Sequence, residues 1–186
     1  LGYGETGEEL TFDPIYYPYY AMLDPTLQQL YRQIYANAFV LHDKFAPVTE
    51  VSVQQVNTAF MAVAGDHPEL FWLDMAYSCR YLGTGQCIEI QLQFNQTADN
   101  LVESKYLFEK YAAIMIQGAV NMASDNEKEL YVHDMLISQV AYKLDAPMNQ
   151  SAYSAIVNGQ TVCAGYERVF QYFIKKREVL CYSALV

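Results

Sequence analysis

The chain has 186 residues, with 11 Lys and Arg against 21 Asp and Glu, a formal charge of −10 at pH 7. A hydrophobic fraction of 53% with 17 Tyr, 9 Phe and 1 Trp is too rich for intrinsic disorder. The acidic balance argues against nucleic acid or anionic lipid as a partner, since both need a basic footprint. The length fits one ordinary domain or two small ones.

Residues 1–23 open Gly- and Glu-rich and become the aromatic run Ile15-Tyr16-Tyr17-Pro18-Tyr19-Tyr20. The first ten residues are expected to fray. The tyrosines are expected to lie against the domain surface, each an apolar ring with a wet hydroxyl. Asp24-Pro25 is a helix start, because the carboxylate can cap free N–H groups and Pro suits the first helical position. Leu27, Leu30, Tyr31, Ile34, Tyr35, Ala38, Phe39 and Leu41 then recur every three or four residues and predict one apolar face to about His42. His42 is expected to meet that helix's C-terminal carbonyls. Ser52 with Gln55 is a capping box for a second helix, with the face Val53, Val56, Ala59, Phe60 and Val63 and an end at Gly65-Asp66. His67 to Trp72 reads as a sharp link whose turn His67 fixes.

Residues 75–82 and 87–94 predict a β-hairpin around Gly83-Thr84-Gly85-Gln86, with Ile88, Ile90, Leu92 and Phe94 on one face. A two-residue turn puts Cys79 and Cys87 on opposite faces, whereas a three-residue loop centred on Gly83 sets them opposite one another. No bridge is expected. Residues 97–123 predict a third, long helix, apolar nearly all round in its second half and therefore central. Its apolar run is broken by Gln117 and Asn121 and is shorter than the about 20 residues a membrane span needs. Ser124 with Glu127 opens a fourth helix to about Tyr142. A short apolar segment at 152–157 precedes the turn Asn158-Gly159, and a fifth helix runs from about Cys163 to Lys176. Residues 179–186 read as a strand, whose unpaired edge would support a homo-oligomer.

The four cysteines, Cys79, Cys87, Cys163 and Cys181, form no CxxC and no Cys/His cluster, so neither a zinc site nor a cofactor is expected. Glu129 and His133 share a helix face, but two residues do not make a metal site. The informative position is Cys163, placed in the first turn of the fifth helix. Unpaired N–H groups and the positive dipole end stabilise an anion there, and the thiolate is the nucleophilic form. Ala164 and Gly165 are small and are expected to leave room for a substrate carbonyl beside the sulfur. On spacing alone, a buried structural thiol is the commoner explanation of a free Cys.

The run Ser151-Ala152-Tyr153-Ser154-Ala155-Ile156-Val157-Asn158-Gly159-Gln160-Thr161-Val162-Cys163-Ala164-Gly165-Tyr166-Glu167-Arg168-Val169-Phe170 resembles the nucleophile segment of bacterial transglutaminase-like proteins. His133-Asp134 is similar to that family's upstream "HD-x-L" helix, and His67-Pro68-Glu69-Leu70-Phe71-Trp72 to a phrase in several secreted members. The resemblance implies a papain-like core and hence an α+β fold: an extended Tyr-rich segment at 1–23, a helical and hairpin region at 24–96, and the nucleophile half of the core at 97–186. It implies Cys163 as nucleophile towards a protein or peptide amide, through a thioester that an amine or water resolves. The Cys163 N–H would be one oxyanion donor; Gln160 and Tyr153 are candidates for a second by proximity. It also implies an extracellular or cell-envelope location, and a chain opening on Leu1 fits a removed leader.

The chain departs from the family after Cys163. The family's catalytic His and Asp lie downstream, and no His follows His133 here. A fragment with little or no activity is therefore expected. Glu167 stands where the family has a small residue and would slightly disfavour the thiolate. His133 is expected to be structural, its ring bonded to the loop before Cys163, with Asp134 poorly placed to orient it because helix neighbours point about 100° apart. The alternative reading is a non-catalytic surface or interaction module that keeps the fold.

Overall fold

The computed structural model describes the backbone of residues 1–183 and side chains as far as Lys176. The chain forms two units, Leu1–Gln96 and Thr97–Val186. Together they give an α+β architecture.

In the first unit, helix α1 is a single turn, Pro18–Ala21, and α2 spans Pro25–Phe39. The α2 start is as its residues dictate: the Asp24 carboxylate accepts from the Leu27 N–H at 2.9 Å, with Pro25 following. The α2 face Leu27, Leu30, Tyr31, Ile34 and Ala38 is buried and packs on α3, Val53–Asp66. Both halves of the α3 capping box form: Gln55 N–H donates to Ser52 Oγ at 3.2 Å, and Ser52 N–H donates to Gln55 Oε1 at 2.9 Å. Strands β2 (Leu73–Tyr81) and β3 (Cys87–Phe94) form the hairpin. The two-residue strand β1, Lys44–Phe45, pairs antiparallel with the other edge of β3. Its one inward side chain, Phe45, is fully buried, and two residues are too few to show a period in the sequence.

Two expectations change in this unit. A register shift beside Arg80 and Tyr81 leaves Ile88 without a cross-strand partner, so Cys87, opposite Tyr81, turns inward with Ile90 and Leu92. Cys79, opposite Ile90, shares that face, and both thiols are free. Burial, with Cys87 close by, pushes the Cys79 thiol up to about 12. The N-terminal ten residues do not fray. The buried Asn37 amide accepts from Glu5 N–H at 3.0 Å and donates to Glu5 O at 2.7 Å. Gln33 Nε2 donates to Tyr3 O at 2.7 Å, and Ala46 N–H to Gly2 O at 2.8 Å. The segment keeps its side chains in solvent and is held by its backbone, which composition does not reveal.

In the second unit, α4 spans Leu101–Ile116 and continues through a 3₁₀ turn, Gln117–Ala119. The single helix to 123 is not formed. At Gly118 an added Cβ would stand 2.5–2.8 Å from the Tyr131 ring and hydroxyl, and that hydroxyl donates to Met115 O at 3.2 Å. Nor is α4 central: Phe108, Ala112 and Met115 are buried, but Val102, Tyr106 and Ile114 are exposed. Helix α5, Asp125–Gln139, opens on the Ser124–Glu127 capping box. Strand β4 (Ala141–Tyr142) pairs in parallel with β5 (Gln160–Thr161), and α6 (Ala152–Ile156) lies between them in sequence.

Helix α7 spans Cys163–Ser183. Residues 179–183 are therefore helical, not a strand, and 184–186 lie outside the described residues. No Gly or Pro interrupts the sequence after Lys176, so the helical hydrogen-bond ladder simply continues. The homo-oligomer expected through a 179–186 strand edge loses its basis over the described residues. Among these, no helix is long and apolar enough to cross a membrane.

Candidate active site

Cys163 is the first residue of α7, and a short framework on its N-terminal side fixes it there. After α6, Gly159 takes φ +65° and turns the chain into β5. Ala141 N–H donates to Gly159 O and Lys143 N–H to Thr161 O, both at 2.8 Å, which ties β4 alongside. The Ser154 hydroxyl donates to Gln160 O. The Asn149 carbonyl then accepts twice, from Val162 N–H at 3.1 Å and from the Thr161 hydroxyl at 2.6 Å. Val162 O accepts from Gly165 N–H at 2.9 Å and Tyr166 N–H at 3.1 Å, closing the first turn of α7. The Tyr166 hydroxyl donates to Val140 O and ties that turn to the end of α5.

Val162 precedes the helix and has no side-chain oxygen, so it cannot cap the opening N–H groups as Ser or Asp would. The Cys163 side chain is exposed, with its Sγ 4.0 Å from the Tyr142 hydroxyl, the outer limit of a thiol contact. Tyr142 stands at the end of β4 and is itself exposed. The hydrogen bond with Cys163, and then the Coulombic effect of that side chain, favour the phenol over the phenolate and push Tyr142 up from its ordinary value. A phenol can accept from a thiol or donate to a thiolate, so this neighbour suits either state of the sulfur.

Gly165 does not have the role expected of it. An added Cβ would fall on Thr161 Oγ1 and 2.9 Å from Asn149 O, so the missing side chain makes room for the β5 framework and not for a substrate. Tyr153 is buried, its ring stacked at 6.5 Å and 8° on Phe108. Gln160 is half-buried, with its backbone committed to the β4–β5 pair and to Ser154.

His133 differs from expectation. It lies on the exposed surface of α5, its Nδ1 3.1 Å from Asp134 Oδ1, and not against the loop before Cys163. Both side chains are more than half exposed and swing towards each other, which neighbours in a buried helix could not do. Among the described residues, no third ligand joins Glu129 and His133. His42 meets the α2 C-terminus through its backbone, its N–H donating to Asn37 O at 2.9 Å.

Sequence reasoning missed two partners. Tyr142 lies far from Cys163 in sequence and is brought to it by a strand pair of two residues. In the first unit, the His67 turn is present, with Leu70 N–H donating to His67 O at 3.1 Å, but the ring also joins a buried network. Nε2 is 2.6 Å from Tyr31 Oη and Nδ1 is 2.6 Å from Glu69 Oε1. The Tyr31 hydroxyl donates to Asp66 Oδ2 at 2.9 Å, and Tyr17 stacks on the imidazole at 4.9 Å. Tyr31 on the buried face of the first predicted helix, and Asp66 and Glu69 either side of His67, were the only signals available in the sequence. No family model and no curated protein matches the chain.

Proposed function

We propose that the second unit is the nucleophile segment of a transglutaminase-like cysteine enzyme acting on protein or peptide amides. One observation carries this reading: an exposed thiol on the first residue of a long helix whose preceding residue cannot cap it. The Cys163 sulfur attacks the amide carbonyl, an S–C bond forms and the C–N bond breaks. The thiol proton leaves on the departing amine, and an amine or water resolves the thioester. The Cys163 N–H is the first oxyanion donor in this reading. Following the members that the sequence resembles, the enzyme works outside the cell or in its envelope.

The reaction needs a base for the thiol proton. Among the described residues, Cys163 bonds to no histidine: its sulfur meets the Tyr142 hydroxyl, and His133, in the same unit, is engaged with Asp134. A base typically contributes about 10²–10⁴-fold. Residues 1–186 by themselves are therefore expected to acylate with activated esters and to turn amides over little or not at all.

The test is the rate of iodoacetamide alkylation at neutral pH, followed by peptide mass spectrometry. Cys163 is expected to be modified several-fold faster in the folded protein than in the urea-unfolded chain, where no helix opening favours the thiolate. An activated p-nitrophenyl ester is expected to leave an acyl group on Cys163, and none in Cys163→Ala. Alkylation no faster than in the unfolded chain, together with no acyl adduct, overturns the enzyme reading and leaves the interaction module.

A further inference from the structure

Residues 2–7 lie along α2 as a ligand lies in a slot, and the polar groups of that slot are held in place without them. Gln33 and Asn37 stand one turn apart on α2, and both are 0% exposed. The chain that follows α2 fixes the Gln33 amide: Nε2 donates to Ala46 O at 2.8 Å, and Oε1 accepts from Val48 N–H at 3.0 Å. Asn37 Nδ2 donates to Gln33 O at 2.8 Å, within the helix itself. These bonds set which way each amide faces, and they leave four polar groups aimed at one extended stretch of backbone. The second Gln33 Nε2 hydrogen goes to Tyr3 O at 2.7 Å, and Ala46 N–H goes to Gly2 O at 2.8 Å. Asn37 takes Glu5 from both sides, donating to its O at 2.7 Å and accepting from its N–H at 3.0 Å. All four contacts are to backbone, while the Tyr3 and Glu5 side chains are exposed.

Two glycines give the occupant its shape. Gly4 and Gly7 have φ +61° and +66°, a region that other residues seldom enter. An added Cβ would fall on Asn37 Oδ1 at Gly4, and would stand 2.5 Å from Arg32 O at Gly7. Gly4-Glu5-Thr6-Gly7 is the one place in the sequence where two glycines stand three apart. We propose that this side of α2 is a peptide-binding slot for an extended protein segment with glycines at positions i and i+3, and that residues 2–7 are a resident occupant which a partner's segment displaces. Affinity comes from main-chain hydrogen bonds, as when a peptide adds to a sheet edge, and selectivity comes from the two positions that admit no side chain. The tether gives the resident segment a high effective concentration, so the slot is closed to a weak or dilute competitor. The slot stands independently of any reaction at Cys163.

Fluorescence anisotropy of an acetylated peptide of residues 1–10, labelled at its C-terminal end, tests this on the 1–186 chain. Gly4→Ala with Gly7→Ala expels the resident segment and leaves every polar group of the slot in place, so this variant is expected to bind the peptide. The wild-type chain is expected to bind it roughly tenfold more weakly or less, because its own segment competes. A peptide carrying the same two alanines is expected to bind the variant roughly tenfold more weakly, as backbone bonds go unmet. Circular dichroism and the urea midpoint report whether the variant is folded. If it is not, Gly4→Ala alone, which leaves Gly7 against Arg32 undisturbed, takes its place. A folded variant that fails to bind the peptide overturns the proposal, and so does equal binding by the wild-type chain or of the alanine peptide. Loss of the fold in both variants overturns it as well, because residues 2–7 are then part of the fold and not its occupant.

Discussion

His67 and Cys163 both sit at the end of a helix, and they show how differently a reactive side chain can be housed. His67 follows α3, is 2% exposed and has both ring nitrogens within 2.6 Å of a partner. Cys163 opens α7, is exposed, and has one neighbour at the limit of contact. Phenol, imidazole and carboxylate in line look like a relay, yet aromatic rings occupy the space a substrate would need. The thiol has no such line of partners but has room. Short hydrogen bonds mark where a fold is held together, and reactivity needs a group that is left partly unsatisfied.

Breaking the first side of this contrast has the largest expected effect. Asp66→Ala leaves the Tyr31 hydroxyl and the Tyr19 and Tyr20 N–H groups without their acceptor in a buried place. A loss of about 3 kcal/mol is expected, read as a lower urea midpoint, while Cys163 alkylation in the folded protein is unchanged. High pH probes the same cluster. Burial raises the phenols of Tyr31, Tyr35 and Tyr17, Tyr35 up to about 12, and nearby Asp66 or Glu69 raises them further. Phenols raised in the folded state contribute stability that is complete below their unfolded value of about 10. That stability is lost as pH climbs from there through the folded values. The urea midpoint should therefore be level to about pH 10 and then fall, less steeply in Tyr31→Phe. A flat profile across that range would show that these rings are not sealed.

How much of this was legible follows from how local each feature is. Asp24-Pro25, Ser52 with Gln55, and Ser124 with Glu127 each satisfy N–H groups within one turn, so the sequence alone places three helix starts. Cys163 as the first residue of α7 was legible for a similar reason, since Asn158-Gly159 and the β-like stretch before it signal a turn into a helix. Features made by distant partners were not. The Asn37 and Gln33 amides that hold residues 2–5, the Tyr131 ring against Gly118 and the Tyr142 hydroxyl beside the thiol all need the folded chain. The 179–183 segment misled because Val, Leu, Cys and Tyr favour strands on propensity, while continuity with the helix before it decides.

On the Cys163 side, Gly165→Ala sharpens the contrast by disturbing position without touching the sulfur. The new methyl meets Thr161 Oγ1 and the Asn149 carbonyl, groups fixed by β5 and by the Val162 N–H. Overpacking of this kind typically costs about 1–3 kcal/mol. The second unit should lose stability by that amount, and alkylation of Cys163 at neutral pH should slow as the helix opening shifts. Full stability with an unchanged alkylation rate would mean that the Thr161–Asn149 bond is not what positions the thiol.

Tyr142→Phe has the smallest expected effect and tests the contrast most finely. The phenol is exposed and 4.0 Å from the sulfur, so its deletion removes one weak, solvent-screened contact and leaves the β4–β5 pairing intact. Stability should not change measurably. If the hydroxyl donates to the thiolate, alkylation near neutral pH should slow by about two- to five-fold, a fraction of the tenfold that 1.4 kcal/mol would give. If it only accepts from the thiol, losing it leaves the thiol form less favoured and alkylation should speed up slightly. The sign of a small rate change thus reports which way the proton points between these two side chains, and whether the helix opening alone activates Cys163.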